Sequence, residues 1–337
     1  MTTAKFKTIP GERMETREPQ KESSWRDQTI TAAELQNKDF PPIMYVVPGL
    51  LPEGLSIVAG RPKIGKSWLA LDICLGVSDG RICLGSRNPT PGDVLYVALE
   101  DNPRRLQRRI DRLLSPFADK WPSRLTLATR WRRLDEGGVE DIRGWIKSTP
   151  NARLIVLDTL AGVRPIKTNQ GYTEDYESLA ALHRLANETG VAIVVLHHTR
   201  KLEADDPVDT ISGTLGLAGC ADTALVIQRT SKGTTLYSRG RDVEESEYAL
   251  LFDRVTCRWS IMGEAAEVQR SDTRRQILLA LEMASEPMRP AEIAAATGID
   301  RNTVDQRLHG MVADGEVIKL RRGQYAHPAK AMAGEGP

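Results

Sequence analysis

The sequence predicts an α/β fold: a mostly parallel sheet covered by helices, lengthened by an antiparallel extension, and followed by a small unit of three helices and a hairpin. Three observations predict it. Between Leu55 and Gly263, apolar runs alternate with amphipathic stretches. Near-continuous apolar strands that alternate with helices indicate a parallel sheet covered on both faces. After Ala221 the alternation gives way to strands joined by short turns. Residues 273–327 then carry three short helical patterns before two short extended ones. A length of 337 residues suits one large domain and a smaller one, at roughly 100–200 residues per domain.

In chain order, residues 1–28 are rich in charge and poor in apolar side chains, so they read as a disordered segment. Residues 29–54 read as a lead-in arm, a short helical pattern (TAAELQN) followed by the Pro-punctuated FPPIMYVVPGLLP. The core spans 55–263. Its expected strands are LSIVAG (55–60), VLYVAL (94–99), LTLAT (125–129), RLIVLD (153–158), AIVVLHH (192–198) and ALVIQR (224–229). Helical patterns lie between them, such as KSWLALDICLGVSDG and YESLAALHRLANETG. In the latter, Leu179, Leu182 and Ala186 form an apolar stripe at helical spacing. TTLYSRGR, YALLFD and CRWSIM supply the antiparallel extension.

Residues 264–272 are polar and read as a linker. Beyond them, Thr273–Met283 reads as one helix. Pro290–Thr297 is a second, with Pro at its first position and Gly298 past its end. Asp300–Asp314 is a third, with Val304, Leu308, Met311 and Val312 on one face. EVIKL, RRG and QYAH then form a hairpin. Three helices and a hairpin over 273–327 make a winged helix-turn-helix domain. The tail, 328–337, has no core-forming residues and reads as disordered.

Composition narrows the function classes. The formal net charge is +1, so any nucleic-acid contact must use a local basic surface rather than a global field. The four cysteines form no CxxC pair and have no nearby His at zinc spacing, so they read as small buried apolar residues. No apolar run approaches the roughly 20 residues of a membrane helix, and the N-terminus has no apolar signal core. The expectation is a cytoplasmic protein with no membrane partner.

Gly60-Arg61-Pro62-Lys63-Ile64-Gly65-Lys66-Ser67 fits GxxxxGK[ST] at every fixed position, after an apolar strand and at the start of a helix that continues with Trp68. The glycines let the backbone curl so that its N–H groups face phosphate oxygens, and the helix N-terminus adds positive potential. Lys66 is placed to neutralise the β- and γ-phosphates of ATP, and Ser67 to ligate Mg²⁺. Asp158 closes RLIVLD, where a carboxylate at the carboxyl end of a buried parallel strand faces the ligand crevice and can hold the metal shell. Glu100 closes VLYVAL. If that strand neighbours the P-loop strand, Glu100 can orient and deprotonate the attacking water; the adjacent Asp101 is the other candidate base. His197 and His198 close AIVVLHH, and strand alternation turns one of them toward the nucleotide as a γ-phosphate sensor.

These residues in combination, from LPEGLSIVAGRPKIGKSWLALDICLGVSDG through VLYVALED, LIVLD, VVLHHTRK and DTISGTLGLAGCADTALVIQR to SRGRDVEE, resemble the AAA-type RecA-fold P-loop ATPases of plasmids and phages. Plasmid replicative hexameric helicases are similar, and DnaB-like helicases more distantly so. The resemblance covers about residues 30–260. It implies a RecA-like P-loop NTPase core, with Lys66 and Ser67 in the P-loop, Glu100 as catalytic glutamate, Asp158 as Walker B acid and the HHTRK run as sensor strand. It also implies that Arg239 and Arg241 reach a neighbouring subunit's nucleotide as arginine fingers in a homo-oligomer, a hexameric ring. Two loops that follow catalytic strands match those lining the DNA channel of such rings: one carries Arg164 and Lys167, the other Arg200 and Lys201. The winged helix lies outside the family pattern.

The second loop is also acidic, and a solvated loop ordered by a partner subunit fits it as well. Period-two alternation turns Arg239 and Arg241 to one face, with an intramolecular bridge to Asp242, Glu244 or Glu245 as the alternative. A further basic cluster, Arg104, Arg105, Arg108, Arg109 and Arg112, suits a nucleic-acid track, a solvated face or a subunit contact. In the winged helix, Arg301, Asn302, Thr303, Gln306 and Arg307 lie off the apolar stripe of the third helix, and Lys319, Arg321 and Arg322 lie in the hairpin. That placement suits a duplex-reading helix and wing, or a protein-docking surface. The function expected is a DNA-dependent ATPase, a ring-forming replicative helicase of a phage, plasmid or integrated element. The alternative is a non-translocating regulator or loader that reads duplex DNA through its winged helix.

Overall fold

In the computed structural model the chain is described at residues 29–114, 120–164, 172–200, 204–211, 215–230, 233–321 and 323–331. It divides into two units, Met1–Pro42 and Ile43–Pro337. The described part of the first holds one short helix, α1 (Ala32–Gln36), started by a capping box in which Thr31 and Glu34 bond each other's backbone N–H.

The second unit opens with a small antiparallel pair, β1 (Tyr45–Val47) and β2 (Leu51–Pro52). Val46, Val47, Leu50 and Leu51 are buried in the main core. Part of the expected lead-in arm is therefore core, because its VV and LL pairs supply apolar area that the following strands cover. Next come β3 (Gly54–Gly60), α2 (Lys66–Asp79), β4 (Asp93–Ala98), α3 (Pro103–Leu113), β5 (Leu125–Ala128), α4 (Gly138–Ser148), β6 (Ala152–Asp158), α5 (Leu160–Val163), α6 (Tyr172–Thr189), β7 (Ala192–His198) and α7 (Leu215–Cys220). The core closes with β8 (Thr223–Thr230), β9 (Gly233–Gly240), β10 (Ser246–Phe252) and β11 (Trp259–Glu264).

Among the described residues, nine strands form one sheet in the order β11-β10-β9-β8-β3-β7-β6-β4-β5. From β5 to β8 all neighbours are parallel, and β8 to β11 pair antiparallel. Apolar side chains alternate between two cores. Val58, Tyr96, Val156 and Val194 face one with α2 and α3, while Ile57, Val97, Ile155 and Val195 face the other with α4 and α6. This is the α/β fold expected, with its antiparallel extension in place.

The expected linker is not extended chain. Helix α8 (Ala265–Met283) starts where β11 ends, with Glu264 as its N-cap residue. Its first half is largely exposed, so it lacks the apolar stripe by which a helix is recognised, although AAEVQR is rich in good helix formers. α9 (Pro290–Thr297), α10 (Arg301–Ala313), β12 (Ile318–Arg321) and β13 (Gln324–Ala326) complete a separate core of Ile277, Leu281, Ile293, Val304, Leu308, Met311, Val317 and Tyr325. Asp300 caps α10 by accepting from the Thr303 N–H at 2.9 Å. A final short helix, α11 (Pro328–Ala331), occupies the start of the segment expected to be disordered. The four cysteines are free and buried, as expected.

Candidate active site

The carboxyl ends of β3, β6 and β7 and the turn after β4 converge on one cavity of about 280 Å³. Lys63, Gly65, Lys66, Ser67, Trp68, Glu100, Arg109, Asp158, Thr159 and His198 line it. Gly60 ends β3 and Gly65 is the N-cap residue of α2, with φ 112. Lys63 also has a positive φ, 62, so the loop curls at two points between strand and helix. The Gly65 carbonyl accepts from the N–H groups of Trp68 and Leu69, both at 3.1 Å. The N–H groups of Lys66 and Ser67, the first two of α2, are left for an anion.

Lys66 is 6% exposed. Its Nζ donates to the carbonyls of Gly60 at 2.8 Å and Arg61 at 3.2 Å, and lies 3.2 Å from His198 Nδ1. Burial lowers its pKa, while Asp158 and Glu100 raise it. A cation that is largely buried and near two carboxylates gains strongly from a polyphosphate. His198, rather than His197, faces the P-loop; His197 is buried on the other side of the strand end, as period-two alternation requires.

Asp158 is 3% exposed. Its Oδ2 accepts from the Tyr96 hydroxyl at 2.7 Å, and its Oδ1 is buried with no hydrogen-bond partner among the described residues. Burial raises its pKa, the Tyr96 and Ser67 hydroxyls lower it, and the Glu100 charge raises it. An unpartnered carboxylate oxygen beside a serine hydroxyl fits a hard divalent cation that takes its other ligands from phosphate and water. Ser67 and Asp158 would hold Mg²⁺, whose charge polarises the phosphoryl oxygens when it is bound.

The strand that carries Glu100 does not adjoin the P-loop strand. β7 and β6 lie between β3 and β4. Glu100 still reaches the cavity because β4 pairs with β6, and the turn after it lies over the end of β6, where the Leu99 N–H donates to the Asp158 carbonyl at 2.7 Å. The Thr159 hydroxyl donates to Glu100 Oε1 at 3.1 Å and so orients it. Asp101 has other partners: Arg109 at 2.6 Å and Arg105 at 3.1 Å. Arg109 also lies over the Trp68 ring at 5.1 Å. The arginine cluster of α3 therefore splits, with Arg109 at the nucleotide cavity and Arg104, Arg105, Arg108 and Arg112 on an exposed face.

Residues 19–204, more than half of the chain, match the family model described as an AAA domain. The chain belongs to the AAA domain family. Residues 276–317 of this AAA protein match a second model, the IclR helix-turn-helix domain. A solved structure of a DnaB-like replicative helicase, described with its interactions with primase, is similar in fold at a TM-score of 0.53 and 15% identity. The similarity covers 68% of this chain and 66% of that one, just under two thirds of the helicase's length. The AAA chain is thus a RecA-like P-loop ATPase with a C-terminal winged helix.

The two arginines around Gly240 do not share a target. Arg239, near the end of β9, bonds Asp206 at 2.7 Å; Arg241, past the strand end, bonds Asp222 at 3.1 Å. Neither bonds Asp242, Glu244 or Glu245; Glu245 accepts instead from the Tyr237 hydroxyl. β9 runs antiparallel to β8, so Arg241 sits toward the end of β3 away from the P-loop, while Arg239 is level with the middle of β3. Arg239 pairs with Ala224, which pairs with Ile57; the Arg241 N–H bonds the Asp222 carbonyl, and the Asp222 N–H bonds that of Leu55. From Leu55 to Gly60 is roughly 17 Å of strand.

Of the two loops, Arg164 follows α5 and Lys167 lies outside the described residues. Arg200 is exposed and its Nε donates to the Ile211 carbonyl at 3.4 Å; Lys201 lies outside the described residues. The loop folds back on itself, with a bridge between Thr199 and Ile211 and a 3₁₀ turn at Pro207–Thr210. On α10, Arg301, Asn302 and Gln306 are exposed, while Arg307 is half-buried. Thr303 also donates its hydroxyl to Asp300, which makes it part of the cap. Lys319 is exposed beside the Tyr325 ring. Arg321 ends β12, and Arg322 lies outside the described residues. Tyr96, Thr159 and Trp259 (whose indole bonds the Gly65 carbonyl) also belong to the site; of the three, only Thr159, next to Asp158, carries a local signal in the sequence.

Proposed function

We propose that this protein is a DNA-dependent ATPase that assembles as a hexameric ring and translocates on DNA, as a replicative helicase of a phage, plasmid or integrated element. The observation that carries this reading is the distance of both arginines from the P-loop end of β3 in their own chain, roughly 17 Å along the strand for Arg241 and roughly 10 Å for Arg239. A pair of cations so placed serves a γ-phosphate only in a neighbouring chain, and closed rings of head-to-tail contacts supply such neighbours. Charge stabilisation by a trans arginine is worth roughly 10³–10⁵ in rate where it has been measured. In this reading Lys66 and Ser67 hold Mg²⁺–ATP, Asp158 completes the metal shell, Glu100 activates water and His198 senses the γ-phosphate. Arg164, Lys167, Arg200 and Lys201 contact DNA in the channel. The ion pairs to Asp206 and Asp222 are resting positions that the arginines leave on assembly. The protein works in the cytoplasm.

Mixing tests it. Arg241→Ala and Lys66→Ala proteins are each expected to be nearly inactive alone, and to regain partial ATPase activity when co-assembled. Absence of recovery in proven mixed assemblies refutes a finger in trans.

A second reading rests on the helix-turn-helix match at 276–317 and on exposed Arg301, Asn302 and Gln306: a non-translocating regulator or loader that reads duplex DNA. ATPase stimulation without unwinding of a forked substrate would favour it.

A further inference from the structure

The P-loop is braced by a residue almost two hundred positions away. Trp259 is 2% exposed. Its Nε1 donates to the Gly65 carbonyl at 3.2 Å, as a third donor on an oxygen that already accepts from Trp68 and Leu69. The ring lies against the Gly65 Cα, where a Cβ would stand 2.9 Å from Cζ2. Phe252 packs against the same ring, tilted, with ring centroids 4.7 Å apart. The neighbours of Trp259 tie the same region: Arg258 pairs with Asp72 of α2 at 3.6 Å, and the Ile261 N–H donates to the Leu84 carbonyl at 2.9 Å.

The other end of β11 leads straight into the winged helix. Glu264 is the last residue of the strand and the N-cap residue of α8, and the same helix contributes Ile277 and Leu281 to the winged-helix core. No loop intervenes between the contact with Gly65 and that core. A continuous strand and helix carry a displacement that an unstructured linker would absorb, here through a bulge at Met262 and Gly263 at φ 132 just before α8.

We infer that Trp259 is a positioning residue for the phosphate loop, and that β11 and α8 couple nucleotide at Lys66 to duplex binding by the winged helix. This rests on the ATPase reading of the P-loop and on the winged helix as a duplex reader. Phosphates drawn to the N-terminus of α2 shift Gly65, Trp259 follows its carbonyl, and α8 turns with β11. Coupling of this kind is reciprocal, so duplex must change nucleotide affinity by the same factor.

The test uses the full chain, a labelled duplex at fixed salt, and a non-hydrolysable ATP analogue with Mg²⁺. In the unaltered protein the analogue is expected to change the duplex Kd by about fivefold or more, a typical lower bound for coupled sites. Trp259→Phe keeps an aromatic ring but loses the N–H. It is expected to reduce that change to less than about twofold and to raise the KM for ATP by roughly 2–10-fold, the worth of one hydrogen bond, with kcat and nucleotide-free duplex binding held. A purely packing role would lower thermal stability without separating KM from kcat. As a second variant, two glycines inserted between Glu264 and Ala265 leave the P-loop and winged helix intact. They are expected to abolish the coupling while KM, kcat and nucleotide-free duplex binding stay normal. Coupling that survives in both variants overturns the inference, as does an unaltered protein that binds both ligands without coupling. Failure to bind the analogue at all overturns the ATPase reading itself, and the inference with it.

Discussion

Gly65→Ala is the most exacting test of the P-loop geometry, because two separate costs can be worked out and separated. Gly65 has φ 112, a region that L-residues avoid at roughly 1–2 kcal/mol. Its new Cβ would stand 2.9 Å from Cζ2 and 3.0 Å from Nε1 of Trp259. A fully buried ring with Phe252 packed against it has little room to retreat, so overpacking adds about 1–3 kcal/mol. The sum is about 2–5 kcal/mol. Trp259→Phe removes the outer ring that carries Cζ2, the nearest of the clashing atoms, and leaves a smaller ring with room to shift. In the double variant only the backbone part, about 1–2 kcal/mol, is expected to remain from the glycine change. The assay is urea unfolding of the unaltered protein, both single variants and the double, closed as a double-mutant cycle. If the two substitutions are additive to within about 0.5 kcal/mol, the value for uncoupled sites, the indole does not press on Gly65 and the brace argument fails.

Three further outcomes follow from the site. Lys66→Ala is expected to lose ATP binding, whereas Glu100→Gln is expected to bind ATP and hydrolyse it about 10²–10⁴-fold more slowly, as loss of a general base predicts; filter binding with single-turnover hydrolysis separates the two, and near-normal turnover of Glu100→Gln removes it as the base. Asp158→Asn is expected to abolish Mg²⁺-dependent hydrolysis yet raise the thermal stability of the nucleotide-free protein. Burial raises the Asp158 pKa, so its stabilising protonated form is lost as pH rises through the folded-state value; the stability gain should be small near pH 4, larger at pH 7.5, and a pH-independent gain refutes it. Deleting residues 272–337 is expected to leave ATPase activity and weaken duplex binding at matched salt; equal binding with and without them makes the winged helix a protein dock.

What the sequence made legible was local. GRPKIGKS sits between an apolar strand and a helix, and each of its roles follows from neighbours within eight positions, so the P-loop, its helix and Asp158 could be placed from composition and spacing alone. The winged helix was equally readable, because Pro290, Gly298 and the stripe Val304–Leu308–Met311 mark its helices by caps and period. What failed depended on sheet order. Glu100 reaches the P-loop from sequence only on the premise of adjacent strands, whereas two strands intervene and the contact runs through Leu99 and Thr159 to β6. Asp101 and Glu100 were interchangeable as adjacent carboxylates until α3 folded Arg105 and Arg109 onto one of them. Arg239 and Arg241 looked like one device because they are two apart, but β9 ends between them, and the alternation that would align them ends with it. The segment after Glu264 reads as a linker in sequence for a related reason: an exposed helix has no apolar face to announce it, and only the structure shows α8 continuing from β11. Trp259 had no local signal at all. A lone tryptophan in CRWSIM is an ordinary strand residue until an antiparallel extension carries it beneath a glycine that tolerates no Cβ. That glycine could be identified from the motif, but the ring that presses on it could not.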